Sequence, residues 1–370
     1  MNDNDMDRPA DQPINDRPKD LQDLVRLGLP EGARQPGAHT EFTLRKSVFE
    51  YPEFTAAVRK LAAAHDRFRK TKAAQGIALV GQSGSGKSTV IEYYAGAFPF
   101  QQSPTGRQMP VVRVLTPESP TVNTLAEAFL DAMGVPGARR GTAQDKTRRL
   151  IKYVRDCGVE LLIIDEFQHF MEGTNGRSTA RARIISDWLK NLLTECQAVV
   201  VLVGLPKSIQ ALNINAQLRR RFSAHHELKP FGYTTPQEQR DFQDLLGSLQ
   251  LELPCPCVAL YTPEMARCFY FATLGLIDYV LTILDGAVSA GGSGPGGMVI
   301  QCDFAEAFRE HVWNSCPDPL NPFAPGATLR RLKERNEPFE GWDDIEQYTL
   351  SRSAAKIARK AQSKGGDHAQ

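Results

Sequence analysis

The chain has 370 residues, with 44 Lys and Arg against 43 Asp and Glu, and a formal net charge of +1. At 41% hydrophobic and 24% charged residues, it has the composition of a globular protein, long enough for one core domain and a smaller one. The near-neutral balance excludes a partner recognised by global charge, so any nucleic-acid contact has to be a local patch. No apolar run is long enough to span a bilayer and the acidic, polar start does not read as a signal peptide, so no membrane partner and a cytoplasmic location are expected. The seven cysteines are scattered, and Cys255 and Cys257 lack a second Cys/His pair, so reduced thiols are expected rather than a zinc site.

In chain order, residues 1–40 are rich in Pro, Asp and Asn, including Pro9, Pro13, Pro18, Pro30 and Pro36. They read as a flexible arm with at most one short helix near Leu21 to Leu27. Tyr51 to Lys70 places Phe54, Val58, Leu61 and Ala62 at helical spacing. It leads into Ile77-Ala78-Leu79-Val80, an apolar run that fits the end of a buried strand.

Next come Gly81-Gln82-Ser83-Gly84-Ser85-Gly86-Lys87-Ser88 and then Thr89 to Ala95, which reads as a helix. Strand, glycine-rich turn, Lys-Ser and helix form a phosphate-binding loop of the G-x-x-x-x-G-K-[ST] type. The glycines let backbone N–H groups turn towards phosphate oxygens, and the helix N-terminus adds its positive end. Gly81 through Thr89 are therefore the candidate ATP-binding residues. Lys87 is expected on the β- and γ-phosphates and Ser88 on Mg²⁺.

Val111 to Leu115 reads as a second strand, and Val122 to Met133 and Thr147 to Cys157 as helices. Leu161-Leu162-Ile163-Ile164 then runs into Asp165-Glu166. Carboxylates at the C-terminal end of a buried parallel strand project into the crevice where ligands sit. Asp165 is expected in the Mg²⁺ shell, and Glu166 as the base that polarises the attacking water. Arg183 to Cys196 reads as a helix, and Ala198 to Val203 as a fourth strand ending at Gly204. Strands alternating with helices predict an α/β fold with a parallel sheet.

Gln217-Leu218-Arg219-Arg220-Arg221-Phe222 follows at helix length. An arginine here can stabilise charge on a neighbouring subunit's γ-phosphate, and Arg221, beside Phe222, is the candidate finger. Thr235 to Cys316 is mainly helical: Phe242, Leu245, Leu246 and Leu249 mark one helix, Met265 to Thr273 and Leu276 to Ala287 two more. After the Gly291 to Gly297 loop, a last helix has Asp303 as its expected cap. The expected divisions are an arm over 1–40, an ATPase core over 41–232, a helical lid over 233–316 and a Pro-rich, then basic tail over 317–370.

A phosphate-loop core with this arginine and a helical lid resembles the AAA+ class. In particular it resembles the TniB/TnsC-type regulators that work beside a DDE transposase. That resemblance is carried by Phe49, Tyr51 and Pro52; Leu79 through Ser88; Thr116-Pro117 and Pro120-Thr121; Leu162 to His169; Val203-Gly204; and Gln217 to Phe222. It implies an ATP hydrolase that assembles as a homo-oligomeric ring or filament on double-stranded DNA and recruits the transposase, with a target-selection adaptor as a further partner. DNA contact of this kind is mainly to phosphates, and the candidates are Thr121, Arg139, Arg140, Lys146, Arg148 and Arg149, with Arg181 and Arg183 behind them. Leu205 stands where the class often carries a polar sensor, and Asp278 and Tyr279 where its lids often carry an arginine; both imply slow turnover. A helicase loader and an ATP-gated adaptor with little turnover are the alternatives.

Overall fold

A computed structural model describes residues 42–104, 106–118, 120–171, 177–208, 212, 216–222 and 224–341. The expected N-terminal arm with its short helix, and the basic stretch from Ser351 to Lys364, lie outside the described residues. In chain order the elements are α1 (Pro52–Thr71), β1 (Gly76–Gly81), α2 (Lys87–Gly96), a hairpin of β2 (Gln101–Ser103) and β3 (Gly106–Gln108), β4 (Val111–Leu115), α3 (Val122–Ala132), α4 (Ala143–Asp156), β5 (Leu161–Asp165), α5 (Arg177–Cys196), β6 (Val199–Gly204), α6 (Ala216–Arg221) and β7 (Ala224–Leu228). The helices α7 (Pro236–Leu251), α8 (Pro263–Thr273), α9 (Ile277–Ser289) and α10 (Gln301–His311) follow.

Three strands with continuous apolar runs have to be covered on both faces, and the fold puts all three in the middle of one parallel sheet. The order is β4-β5-β6-β1-β7, with every pairing parallel. Residues of β1, β5 and β6 are buried throughout. Val112, Val114, Leu162, Ile164, Val200 and Leu202 point into the core shared with Leu125, Phe129, Leu150, Trp188 and Leu192 of α3, α4 and α5. Their alternates face the opposite side, where α1 packs on β6 and β7 through Phe54, Val58, Leu61 and Phe68. The two edges are more polar: β4 carries Arg113, and β7, the strand that the sequence reading did not mark, reads Ala224-His225-His226-Glu227-Leu228.

Helix starts follow their caps. Thr121 caps α3 by accepting the Thr124 N–H (3.1 Å), and Thr142 and Asp145 form a reciprocal box at the start of α4. That box starts α4 at Ala143, four residues before the expected Thr147. Asp303 is not the cap of α10. It sits inside the first turn, and its carboxylate reaches back to the Ile300 N–H (2.7 Å) and to Ser293 N–H (3.1 Å).

The lid helices bury Phe242, Leu246, Phe269, Leu284, Phe304 and Phe308 against one another. The tail expected from Pro317 is instead packed as far as it is described. Phe323 is 1% exposed and Leu332 0%, with the Phe323 ring 4.9 Å from Phe269. Asn321 ties this segment to α10 by donating to the Ala305 carbonyl (2.9 Å). Apolar residues spaced among prolines gave no periodicity to read, yet they complete the lid core.

Candidate nucleotide site

The phosphate loop turns from β1 into α2 around glycines in the left-handed region. Gly86 has φ +89°, and a Cβ there would lie 2.8 Å from the Tyr51 Oη. The Tyr51 hydroxyl instead donates to the Ser85 carbonyl (3.2 Å), so the residue ahead of α1 braces the loop from outside. Lys87 is 6% exposed and its Nζ donates to the Gln82 carbonyl (2.7 Å) within the loop. Burial pushes its ammonium below the ordinary lysine value, and the nearby Glu166 and Asp165 carboxylates oppose that shift. Ser85 Oγ is buried without a hydrogen-bond partner. A buried orphan hydroxyl, a lysine tied to its own loop and glycines at Gly81, Gly84 and Gly86 where a Cβ would meet a neighbour at 3.0 Å or less form a cradle that fits a phosphate chain.

Across the crevice, Asp165 is 1% exposed. Its Oδ2 lies 3.4 Å from Ser88 Oγ and accepts from Arg113 Nη2 at 2.9 Å. Arg113 also donates to Glu92 on α2 (2.7 Å), so a strand arginine unmarked by sequence reasoning joins β4, β5 and α2. Ser88 and Asp165 are two oxygen donors at the mouth of the loop, a set that suits Mg²⁺ completed by water and phosphate oxygens. Among the described residues no group of three or more His, Cys, Asp or Glu gathers to hold a metal.

Glu166 has φ +54°, which swings its side chain off the strand direction into the cleft. Its Oε2 accepts from Gln168 Nε2, and Gln168 Oε1 accepts from the Leu205 N–H (3.1 Å). Gln168 is 5% exposed and fills the space beside Gly204, where a Cβ would come within 2.6 Å of its Oε1. The residue after Gly204, Leu205, is apolar, and its backbone N–H is tied through Gln168 to Glu166.

The lid forms the other wall. Asp278 N–H at the start of α9 donates to the Gly84 carbonyl (3.1 Å), and Phe231 N–H donates to the Gly275 carbonyl (2.9 Å). Between the walls lies a cleft of about 360 Å³, lined by the loop, Glu92 and Glu166 on one side and by Arg45, Phe49, Tyr51, Ile277, Asp278 and Leu281 on the other.

The remaining expected residues fall into separate places. Leu218 on α6 and Phe222 just after it are both 0% exposed and anchor the helix; Arg219, Arg220 and Arg221 are exposed. Arg221 donates to Thr194 Oγ1 (3.1 Å) and does not line its own chain's cleft. Of the DNA candidates, Arg139 and Arg148 have side chains 85% and 71% exposed, and Arg140 is exposed. Lys146 departs from them: it is 2% exposed, with its Nζ on Glu127 Oε2 (2.5 Å), so its charge is spent inside the fold. Its spacing with Leu150 and Val154 on the buried side of α4 was the signal for that. Arg149 donates to the Pro136 and Gly137 carbonyls (2.9 and 3.0 Å) and pins the α3–α4 loop. The Thr121 hydroxyl is used in the cap.

A phosphate loop at the tip of β1, acids at the tip of β5 and a helical lid over the cleft make this chain an ATPase of the AAA+ class. Solved structures share the fold: CDC6P from Pyrobaculum aerophilum (TM-score 0.54, 13% identity, 74% of this chain and 72% of that one), and the ORC2 protein of Aeropyrum pernix in ADPNP–ADP complexes (0.53, 13%, 73% and 71%). The Aeropyrum pernix ORC1 protein in complex with DNA is a third (0.52, 16%, 71% and 66%). No curated protein matches the chain. The sequence is more particular than the fold: the family model described as bacterial TniB protein matches residues 40–233, more than half the chain, and the protein belongs to that family. Among the described residues no single helix is long and apolar enough to cross a membrane.

Proposed function

We propose that the protein is an ATP-dependent regulator of DNA transposition that assembles on double-stranded DNA as a homo-oligomer and recruits or activates a DDE transposase. The observation that carries this reading is the position of Arg221. It stands exposed on a helix anchored by Leu218 and Phe222, outside its own cleft, as an arginine completing a neighbour's site would. The division into arm, core and lid stands with it, with the lid extended through the packed segment after Pro317.

Within one subunit, Lys87 would leave the Gln82 carbonyl for the phosphate chain. Ser88 and Asp165 would hold Mg²⁺, which when bound supplies positive charge beside the phosphates. Glu166 would take the proton of the attacking water. Arg221 of the next subunit would stabilise charge that develops during transfer. Assembly then depends on nucleotide, because the site is complete only at the interface. The exposed Arg139, Arg140 and Arg148 form the patch proposed to contact DNA phosphates, in keeping with the DNA complex of the ORC1 neighbour.

Negative-stain microscopy of the full chain with duplex DNA, with and without a non-hydrolysable ATP analogue, tests the reading. Rings or filaments that need nucleotide and disappear in Lys87→Ala and Arg221→Ala are expected. Single subunits under every condition would overturn it.

A further inference from the structure

We propose that Arg45 is a phosphate-reading arginine, delivered to the cleft by the segment ahead of α1, and that Asp278 competes with the phosphate chain for its guanidinium. The inference rests on the reading of the cleft as an ATP site.

Among the described residues two cations line that cleft, Lys87 on the sheet side and Arg45 on the lid side, among the carboxylates of Glu92, Glu166 and Asp278. The backbone that carries Arg45 is held firmly. It lies on a single 3₁₀ turn, Leu44–Lys46, whose Leu44 is 1% exposed. Thr43 Oγ1 donates to Asp285 Oδ2 (2.6 Å) and Leu44 N–H to Asp285 Oδ1 (2.8 Å), both on α9. The turn is thus clamped to the lid, and its arginine has only side-chain freedom.

That side chain is committed to partners at the cleft rim. Nη1 donates to Asp278 Oδ1 and Nη2 to Thr282 Oγ1 (2.7 Å). Asp278 is itself fixed beside the phosphate loop by its N–H on the Gly84 carbonyl. The two side chains are 47% and 43% exposed, and an ion pair so open to water holds weakly. A phosphate chain carries more charge than one carboxylate and presents paired oxygens that match the guanidinium fork. A phosphate chain held by the loop in the same cleft would therefore be a better partner for Arg45. The lid of this chain needs no arginine of its own, because the segment before α1 brings one to the same wall.

The competition has a signature that a merely structural clamp lacks. Removing Arg45 and removing its competitor should move affinity in opposite directions. Titration of a fluorescent ATP analogue into the full-length chain measures this. Arg45→Ala is expected to weaken binding about 10-fold, and Asp278→Asn to tighten it by about 3-fold. The double variant is expected to bind as weakly as Arg45→Ala, and Arg45→Lys to fall between wild type and Arg45→Ala. Single variants that shift affinity in the same direction would overturn the proposal, as would an Arg45→Ala chain that binds like wild type while Lys87→Ala does not bind. That second outcome leaves the ATP site standing. A wild-type chain that fails to bind the analogue overturns the ATP reading itself.

Discussion

The two walls of the cleft are built in opposite ways. At and just behind the sheet wall, Lys87, Asp165 and Gln168 are 6%, 1% and 5% exposed, and their side chains are engaged by the Gln82 carbonyl of the loop, by Arg113 on β4, and by Glu166 and the Leu205 N–H. On the lid wall, Arg45 and Asp278 keep nearly half of their side-chain surface in water. Buried polar networks hold one geometry, because leaving a member unpaired is costly. Half-solvated pairs exchange partners cheaply. The division suits the chemistry: a reaction centre has to be held still, and a surface that grips and releases nucleotide has to adjust.

Substitutions can break or sharpen this contrast. The largest effect is expected on the sheet wall from Glu166→Gln, which removes the base and keeps the shape. Turnover should fall by about 10²–10⁴-fold with ATP affinity retained, as read by steady-state hydrolysis and a binding titration. Undiminished turnover would move the base elsewhere. Gln168→Ala should be next. It frees Glu166 from the bridge to β6 without touching the phosphate loop, so kcat should drop by about 10–100-fold while the affinity for ATP stays. A loss of affinity instead would make Gln168 a packing residue of the loop. The smallest effect belongs to the lid hinge. Gly275 has φ +73° and no room for a Cβ, which would lie 2.2 Å from the Phe231 carbonyl oxygen. Gly275→Ala should lower thermal stability by about 1–3 kcal/mol. Nucleotide should stabilise this variant less than it stabilises wild type, as read from melting with and without ATP. Equal stabilisation would detach the hinge from the cleft.

The same contrast explains what could be read from the chain. The phosphate loop and the Asp165-Glu166 pair are contiguous in sequence, so spacing alone announces them, and the continuous apolar runs mark the three central strands. β7 was missed because an edge strand needs no apolar run, and His225 and Glu227 make it look like a loop. Arg113 is a charge in the middle of a short strand, a sign that a partner waits in the fold, but nothing local names Asp165 as that partner. Gln168 and Arg45 come from turns without periodicity, and their roles exist only once β6 and α9 lie beside them. The helices of the lid were legible from their apolar spacing, whereas its last segment, with Phe323 and Leu332 set among prolines, was not.

The clasp between Thr43 and Asp285 spans 242 residues of chain, and that has a consequence for synthesis. Translation at about 5–20 residues per second separates the two halves of the clasp by on the order of 10–50 s. Before that interval ends β1 to β7 can pair and the phosphate loop can form, yet the turn bearing Arg45 has nothing to dock on. The growing polypeptide can therefore form the loop side of its cleft before α9 (Ile277–Ser289), the dock for the turn bearing Arg45, has been made.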